Sequence, residues 1–363
     1  MRFLMSGESH GKQLTAIIEG VPAGLAVSVD LINDELRKRQ SGYGRGSRMK
    51  IESDTAQIVS GVRHGLTLGS PITLVIENKD FENHRELMST EPVAGYEVPA
   101  KTVPRPGHTD LVGAMKYNHR DLQNVLERAS ARDTAIRVAV GALAKQILAE
   151  LGIEVLAHVA KIGGVVALDD QCSHEIRAAI DSAKATGDTL GGEVQIIAQG
   201  VPAGLGSYVH YDRKLDAKMA AAIMSVQSVK GVSFGNALQA SASLGSTVHD
   251  GITHDEEGFN RTSNHYGGFE GGMTNGMPLV IHALAKPIPT LQVPMKSVCL
   301  STHKAKDGMV ERSDTCVVHA LSVILEAVVA TELAKEILTQ FNADTLPLLK
   351  KDFEAFREYV RKF

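Results

Sequence analysis

Tryptophan is absent from this 363-residue chain, and phenylalanine and tyrosine bring the aromatic share to only 4%. A core of this composition is aliphatic, and stacking platforms for single-stranded nucleic acid are scarce. Positive charge is not in excess: 38 Lys and Arg stand against 42 Asp and Glu, for a net charge of −4. That balance offers no bulk field to draw nucleic acid or an anionic membrane. Cysteine is sparse, with Cys172, Cys299 and Cys316 in no metal-ligand or redox spacing. Their odd number fits free thiols in a reducing cytosol and not a disulfide framework. No uninterrupted apolar run reaches about 18 residues, and residues 1–7 are too short in their apolar part for a signal peptide. These absences predict a soluble cytoplasmic protein with no metal site and neither a nucleic-acid nor a membrane partner.

What is present begins with a repeat. The hexapeptide Gly20-Val-Pro-Ala-Gly-Leu25 recurs letter for letter as Gly200-Val-Pro-Ala-Gly-Leu205, 180 residues on. A second echo places Gly69-Ser-Pro71 before Leu74-Val-Ile76 and Gly276-Met-Pro278 before Leu279-Val-Ile281, at offsets of 207 and 205. One such match is equally a favourable turn used twice, whereas two in the same order favour duplication. The expectation is one large domain over 1–363, built from two diverged halves at about 1–180 and 181–340. No period of 20–50 residues, low-complexity tract or long linker interrupts it.

Helical periodicity is clearest over 131–151, where Ile136, Ala139, Val140, Leu143, Ile147 and Leu151 fall at three- and four-residue steps before Gly152. Ser130 with Asp133 resembles a capping box and predicts the helix start at 128–130. Further helices are expected at 31–39, 174–185, 217–225 and 317–338, and strands at 16–19, 72–77, 193–198 and 279–285. Helices and strands mix without strict alternation, so the fold class reads as α+β with antiparallel sheets.

Five clusters carry chemistry. In Gly7-Glu-Ser-His10-Gly11 the glycines let backbone approach a ligand, with Ser9 and His10 displayed; a plain turn with a surface histidine fits equally. Residues 37–50 hold six cations, among them Arg39, Arg45 and Arg48, interleaved with three glycines. A bound anion would relieve the repulsion, and arginine forks suit phosphate or carboxylate; a solvated basic loop is the alternative. No dinucleotide or P-loop fingerprint occurs. His108 follows Pro106-Gly107 between Arg105 and Asp110, which fixes its place in the chain but not its proton affinity. Residues 267–276 contain five glycines, Gly271 among them, ahead of Lys286-Pro287-Ile288-Pro289-Thr290, a combination suited to a flat or phosphorylated ligand or to a mobile lid. Arg312-Ser-Asp314 precedes a helix and is either a cap or a carboxylate kept beside an arginine as proton acceptor.

In this order the segments G-E-S-H-G, R-P-G-H, E-R-A-S-A-R, G-G-x-x-G-G-M-T-N-G, K-P-I-P-T and R-S-D-x-C resemble the chorismate synthase family from Gly7 to about Ala330. The resemblance implies a homotetramer of duplicated β-α-β sandwich subunits with antiparallel sheets around a helical layer. It implies a lyase of the shikimate pathway that converts 5-enolpyruvylshikimate 3-phosphate to chorismate by 1,4-elimination of phosphate. The family needs reduced FMN without net redox change, and with it an external source of reduced flavin; NADP is associated with the family.

Carried over residue by residue, the resemblance makes Ser9, Arg39, Arg45, Arg48, Arg105, Ser130, Arg132 and Arg312 the substrate clamp. His10 becomes the acid on the departing phosphate, His108 a group beside flavin N1, and Asp314 an aid to ring-hydrogen removal with flavin N5. Arg128, Ala129, Ser130, Gln227, Ser228, Gly271, Lys286, Pro287, Ile288, Pro289, Thr290 and Arg312 become the flavin cradle. Four positions depart from the family's usual residues: Cys299 for Asp, His319 for Pro, Gln123 for Arg and Thr109 for Ala. The rival readings are a nicotinamide-linked flavin oxidoreductase, for which no fingerprint exists, and a non-catalytic phosphometabolite-binding protein. The latter has no use for three proton-handling groups or a flavin.

Overall fold

The computed structural model describes residues 1–46, 53–95, 98–167, 173–256, 258–311 and 313–363. Period-two burial sets up the sheets. In the strand Gln13–Glu19, Leu14, Ala16 and Ile18 are buried while Ile17 and Glu19 are exposed, and Ile72, Leu74 and Ile76 do the same inward work in Ile72–Glu77. Both lie at the centre of a four-stranded antiparallel sheet, in the order Arg2–Ser6, Gln13–Glu19, Ile72–Glu77, Ala56–Ser60. A five-stranded antiparallel sheet runs Val229–Phe234, Leu279–Ala285, Gly192–Gln199, Glu154–Ile162, Val165–Val166.

The helices are α1 (Val29–Gln40), α2 (Asp110–Tyr117), α3 (Gln123–Ala129), α4 (Thr134–Ala149), α5 (His174–Ala185) and α6 (Leu215–Met224). They continue with the short α7 (Ala237–Ser241) and α8 (Gly245–Val248), then α9 (Val318–Phe341) and α10 (Leu346–Lys362). Helix α4 packs on the first sheet and α9 on the second, and the two pack on each other, flanked by α1 and α6. The result is an α+β sandwich whose helical layer lies between antiparallel sheets. Helix α9 is buried on nearly every side, as expected of a helix apolar all round. A Cβ at Gly141 would stand 2.3 Å from Ala327 Cβ, so only glycine permits this approach of α4 to α9.

Both sheets place their first, second, fourth and third long strands side by side, when strands are taken in chain order within each sheet. In each, the hexapeptide follows the second of these strands and is closed by a threonine. Thr67 Oγ1 donates to Pro22 O at 2.5 Å and accepts from Leu25 N at 2.9 Å. Thr274 Oγ1 donates to Pro202 O at 2.6 Å and accepts from Leu205 N at 2.9 Å. Gly24 and Gly204 carry φ of 87° and 92°, values that favour glycine.

The helix at 174–185 and the strands 72–77 and 279–285 have the extents expected from the sequence. The start of α4 differs. Ala131–Asp133 is a 3-10 turn, and Arg128 and Ala129 form the last turn of α3, so the expected capping box is a junction between two helices. Ser130 Oγ accepts from Arg132 N at 3.3 Å there. Helix α10, anchored by Leu346, Leu349 and Phe353 with proline in its first turn, was not expected.

Candidate active site

Four helix ends meet at one edge of the helical layer: the C-terminus of α1, the N-termini of α4 and α9, and the segment after α6. Arg39, in the last turn of α1, donates through Nε to Thr134 Oγ1 at 2.9 Å and through Nη2 to Ala131 O at 3.0 Å. The loop after α1 then crosses to α9: Thr315 N donates to Gly44 O at 2.8 Å, and Gly46 N to Asp314 Oδ1 at 2.5 Å. Arg45 Nη1 lies 3.2 Å from Asp314 Oδ2. Two helix N-termini therefore add their positive ends to the guanidinium groups, an arrangement built for anions.

Arg39 and Arg132 are both buried and share one carboxylate. Arg132 Nη1 donates to Asp54 Oδ1 and Oδ2 at 2.8 and 2.7 Å, while Arg39 Nη1 stands 3.6 Å from Asp54 Oδ2. The trio carries net positive charge in a desolvated place, which favours an anionic ligand. Arg48 and Arg312 lie outside the described residues, as does Cys172.

Ser9 and His10 approach the same junction from the first sheet. Ser9 Oγ is 3.1 Å from Ser130 Oγ, and Ser9 N donates to Glu127 O at 2.9 Å. Glu127 grips His10 twice, accepting from its backbone N at 2.8 Å on Oε2 and facing ring Nδ1 at 2.8 Å with Oε1. Burial favours the neutral acid, but the hydrogen bonds from His10 outweigh it and hold the Glu127 carboxyl below its usual range. An ionised Glu127 accepts the Nδ1 hydrogen and leaves His10 Nε2 as the ring atom open to a ligand. Arg128 Nη1 closes the turn by donating to Gly7 O at 2.9 Å.

His108 is held differently. Its Nδ1 lies 2.5 Å from Asp110 Oδ1, and Arg105 donates from Nε to Asp110 Oδ2 at 2.8 Å. Burial pushes the Asp110 carboxyl up, but the bonds from His108 and Arg105 prevail and take it far below the ordinary range. Arg105 Nη1 is spent on Glu311 Oε2 at 2.8 Å. Within the chain the Arg105 nitrogens serve Asp110 and Glu311, with Nη2 also 3.1 Å from His108 Nδ1, so Arg105 fixes the His108 loop. Lys286 Nζ donates to Gly107 O at 2.9 Å, joining the loop of His108 to residues 286–290. Burial first and Lys230 second lower the Lys286 ammonium's proton affinity.

Residues 286–290 run on from the second sheet beside the segment after α6. Lys286 N donates to Ser228 O at 2.9 Å, and Ser228 holds φ of 72°. Ile288 O accepts from Thr189 Oγ1 at 2.7 Å, and Pro289 lies against Gly107. Thr290 Oγ1 meets Ser313 Oγ, beside Asp314. Gln227 Nε2 donates to Asp133 Oδ1 at 2.8 Å, while Gln227 Oε1 is buried with no hydrogen-bond partner. A buried acceptor left open at this place fits the N–H edge of a flavin.

Gly271 does not join this assembly. Gly272 O accepts from Leu215 N at the start of α6, whereas Gln227 follows its end. The ten residues of α6 separate the two by about 15 Å, so Gly271 is not part of this cradle within the chain.

Sequence reasoning missed the carboxylates that hold the cations and imidazoles, Asp54, Glu127, Asp133 and Glu311, together with Asn78 and His84. Glu127 stands in the E-R-A-S-A-R segment, so its signal was present. Asp54 had none, because the pairing spans 78 residues of chain. Of the departures, Gln123 donates to Glu127 Oε1, and Thr109 precedes α2 without a side-chain cap. His319 has a buried Nδ1 with no partner, and burial and then Arg45 lower its proton affinity. Among the described residues, no helix is long and apolar enough to cross a membrane.

The fold is of the α+β class, and the site gathers arginines, helix N-termini and histidines fixed by carboxylates, a setting suited to an enzyme that handles an anion. The profile of chorismate synthase matches residues 1–338. "Chorismate synthase 1" of Bacillus cereus is 53% identical over 390 aligned positions, covering all of both chains. "Chorismate synthase" of a Geobacillus species is 53% identical over 388, again covering both fully. A solved structure titled "Crystal Structure of Chorismate Synthase" matches with a TM-score of 0.80 at 39% identity, over 100% of this chain and 98% of that one. The chain belongs to the chorismate synthase family.

Proposed function

We propose that this chain converts 5-enolpyruvylshikimate 3-phosphate to chorismate and phosphate, as a carbon-oxygen lyase using reduced FMN without net redox change. The observation that carries the reading is the meeting of Ser9, His10, Arg39, Arg45, Ser130, Arg132 and Asp314 around the ends of α1, α4 and α9. A substrate with one phosphate and two carboxylates needs such a density of fixed cations, although the whole protein is acidic.

His10, with Nδ1 committed to Glu127, delivers a proton from Nε2 to the departing phosphate, whose charge must be neutralised as its C–O bond breaks. Arg39, Arg45 and Arg132, with Arg48 and Arg312, hold the anionic groups in register. Asp314, seated between Gly46 N and Arg45, assists removal of the ring hydrogen. His108 is oriented by Asp110 and Arg105 toward the cofactor. Gln227, Ser228 and Lys286 to Thr290, with Arg128, Ala129 and Ser130, would hold the flavin, and the open Gln227 Oε1 supports that fit. When bound there, reduced FMN would supply transient electron donation to the elimination.

The same reading includes a cytoplasmic homotetramer supplied with reduced flavin from outside, with NADP among the family's associations. Gly271 belongs to a flavin site only across a subunit contact. The chain is one domain of two diverged halves, about 1–180 and 181–340, a reading supported by the shared strand order and the paired Thr67 and Thr274 closures. An anaerobic assay with 5-enolpyruvylshikimate 3-phosphate and reduced FMN tests the function. Phosphate and chorismate appearing together are expected; binding of both ligands without phosphate release overturns it.

A further inference from the structure

The turn after the strand Ile72–Glu77 is used by none of the roles above, yet it wraps the Ser9-His10 segment. Asn78 Nδ2 donates to Ser9 O at 3.2 Å and to Gly11 O at 2.9 Å, and Asn78 N donates to Lys12 O at 3.0 Å. The backbone on both sides of His10 is thus pinned to one side chain. The 3-10 turn Phe81–His84 then brings a second imidazole over the first: the rings of His10 and His84 have centroids 4.4 Å apart and planes tilted by 36°. His84 Nδ1 lies 3.0 Å from Asp80 O and 3.6 Å from Asp80 Oδ2.

We propose that His84 is a positioning residue for His10: its ring covers one face of the His10 imidazole. The proposal rests on His10 being the proton donor, and adds to it a group that sets ring orientation. Glu127 restrains one ring edge through Nδ1, and a restraint at one edge leaves the ring free to tilt about that bond. His84 supplies the second restraint, on the face, so that Nε2 is presented in one direction.

Glu127 of α3 faces His10 in direct contact, with Gln123 behind it, and the Glu8 carboxylate lies by Gly11. His84 is itself tethered by Asp80 of its own turn, through the carbonyl at 3.0 Å and the carboxylate at 3.6 Å, so the covering ring is fixed as well.

Turnover of the full-length protein, followed by phosphate release, tests this. His84→Phe is expected to retain turnover within about threefold, and His84→Ala to lower kcat by about tenfold or more with KM little changed. Equal kcat in His84→Ala and the parent overturns the positioning role, and so does an equal loss in both His84 variants. If His10→Ala keeps full turnover, the reading of His10 as the acid fails by itself, separately from the comparison of the two His84 variants.

Discussion

Gln227 Nε2 donates to Asp133 Oδ1 at 2.8 Å, and that bond turns the other end of the amide, Oε1, into a buried acceptor with no partner. Asp133 accepts whether ionised or not, so the orientation of Gln227 survives changes of pH. Its stability contribution does not. Burial raises the Asp133 carboxyl above its usual value, against the opposing pull of Gln227, Arg128, Arg137 and Arg39. A raised carboxyl favours folding below the unfolded pKa and loses that advantage as pH rises through the folded one. Asp133→Asn is therefore expected to raise Tm relative to the parent at pH 7 and to bring no gain near pH 3, by thermal melts across that range. A gain that grows toward acid would contradict the sign.

His10 and His108 are each anchored through Nδ1 to a carboxylate, one by Glu127 and the other by Asp110. Their other ring nitrogens are the proposed working atoms. His10→Ala and His108→Ala are each expected to lower turnover by about 10²–10⁴-fold, the range supplied by a positioned acid or base. Circular dichroism and melting should show the fold intact, since both side chains are only partly buried and lie outside the hydrophobic core. A variant with near-parental turnover would lose its assigned role.

Asp54 lies between the buried Arg39 and Arg132 and pairs with both. Asp54→Ala leaves two guanidinium groups facing each other out of water, and breaking such a buried pair costs about 3–5 kcal/mol. Denaturant melts should show a loss of that size, and inorganic phosphate should restore part of it by replacing the missing anion. A phosphate-insensitive loss would mean that these arginines do not open onto an anion site.

How far the sequence foretold this arrangement depends on how local each signal is. Ile72–Glu77 and Leu279–Ala285 were legible because short apolar runs bounded by Gly and Pro carry their own boundaries. The strand Glu154–Ile162 was not, since its burial alternates poorly and its place is set by pairing with Gly192–Gln199. The helix over Thr134–Ala149 announced itself by periodicity, but α3 before it is only seven residues long and its last turn was mistaken for the next helix's start. Helix α10 had a readable spacing in Leu346, Leu349 and Phe353, and went unread because no motif drew attention to it. In the site, the motif residues His10 and His108 were found, while their partners were not. Asp54 and Glu311 reach Arg132 and Arg105 across long stretches of chain, and no spacing rule encodes such contacts. The place of the glycine cluster was equally illegible: Gly271 lies in the hairpin between Phe269–Glu270 and Met273–Thr274, at the far end of α6.

Cys299 stands where the family usually has Asp, and its surroundings explain how a thiol fills the place. Hydrogen bonds from Ser301, then Thr102 and Thr302, pull it from 9.0 down to about 5. Thr102 Oγ1 and Ser301 Oγ lie 3.4 and 3.3 Å from Sγ, around the place a carboxylate would occupy. A lowered acid stabilises the fold fully above its unfolded pKa and loses that contribution as pH falls through the folded one. The Tm advantage of the parent over Cys299→Ala should therefore grow between about pH 5 and 9, and Cys299→Asp should hold its own advantage lower in that window. A pH-independent difference would place the thiol's role in packing alone.

The crossing of α4 and α9 carries the active-site geometry, because Thr134 and Asp314 enter the site from the N-terminal ends of these two helices. At the crossing, a Cβ on Gly141 would lie 2.3 Å from Ala327 Cβ and 2.5 Å from Ala327 Cα and O. These neighbours are backbone or its first carbon, so no side-chain rotation makes room. Gly141→Ala must push the helices apart, and overpacking of this kind costs about 1–3 kcal/mol despite alanine's better helix propensity. Ala327→Gly in the same chain removes the nearest atom and should recover part of the loss, leaving the strain against the Ala327 backbone. The separation of α4 from α9 also moves Arg132 relative to Arg45, so substrate KM should rise in the single variant and fall back in the double one. Loss of stability with unchanged KM would show that the site tolerates displacement of its two helix ends.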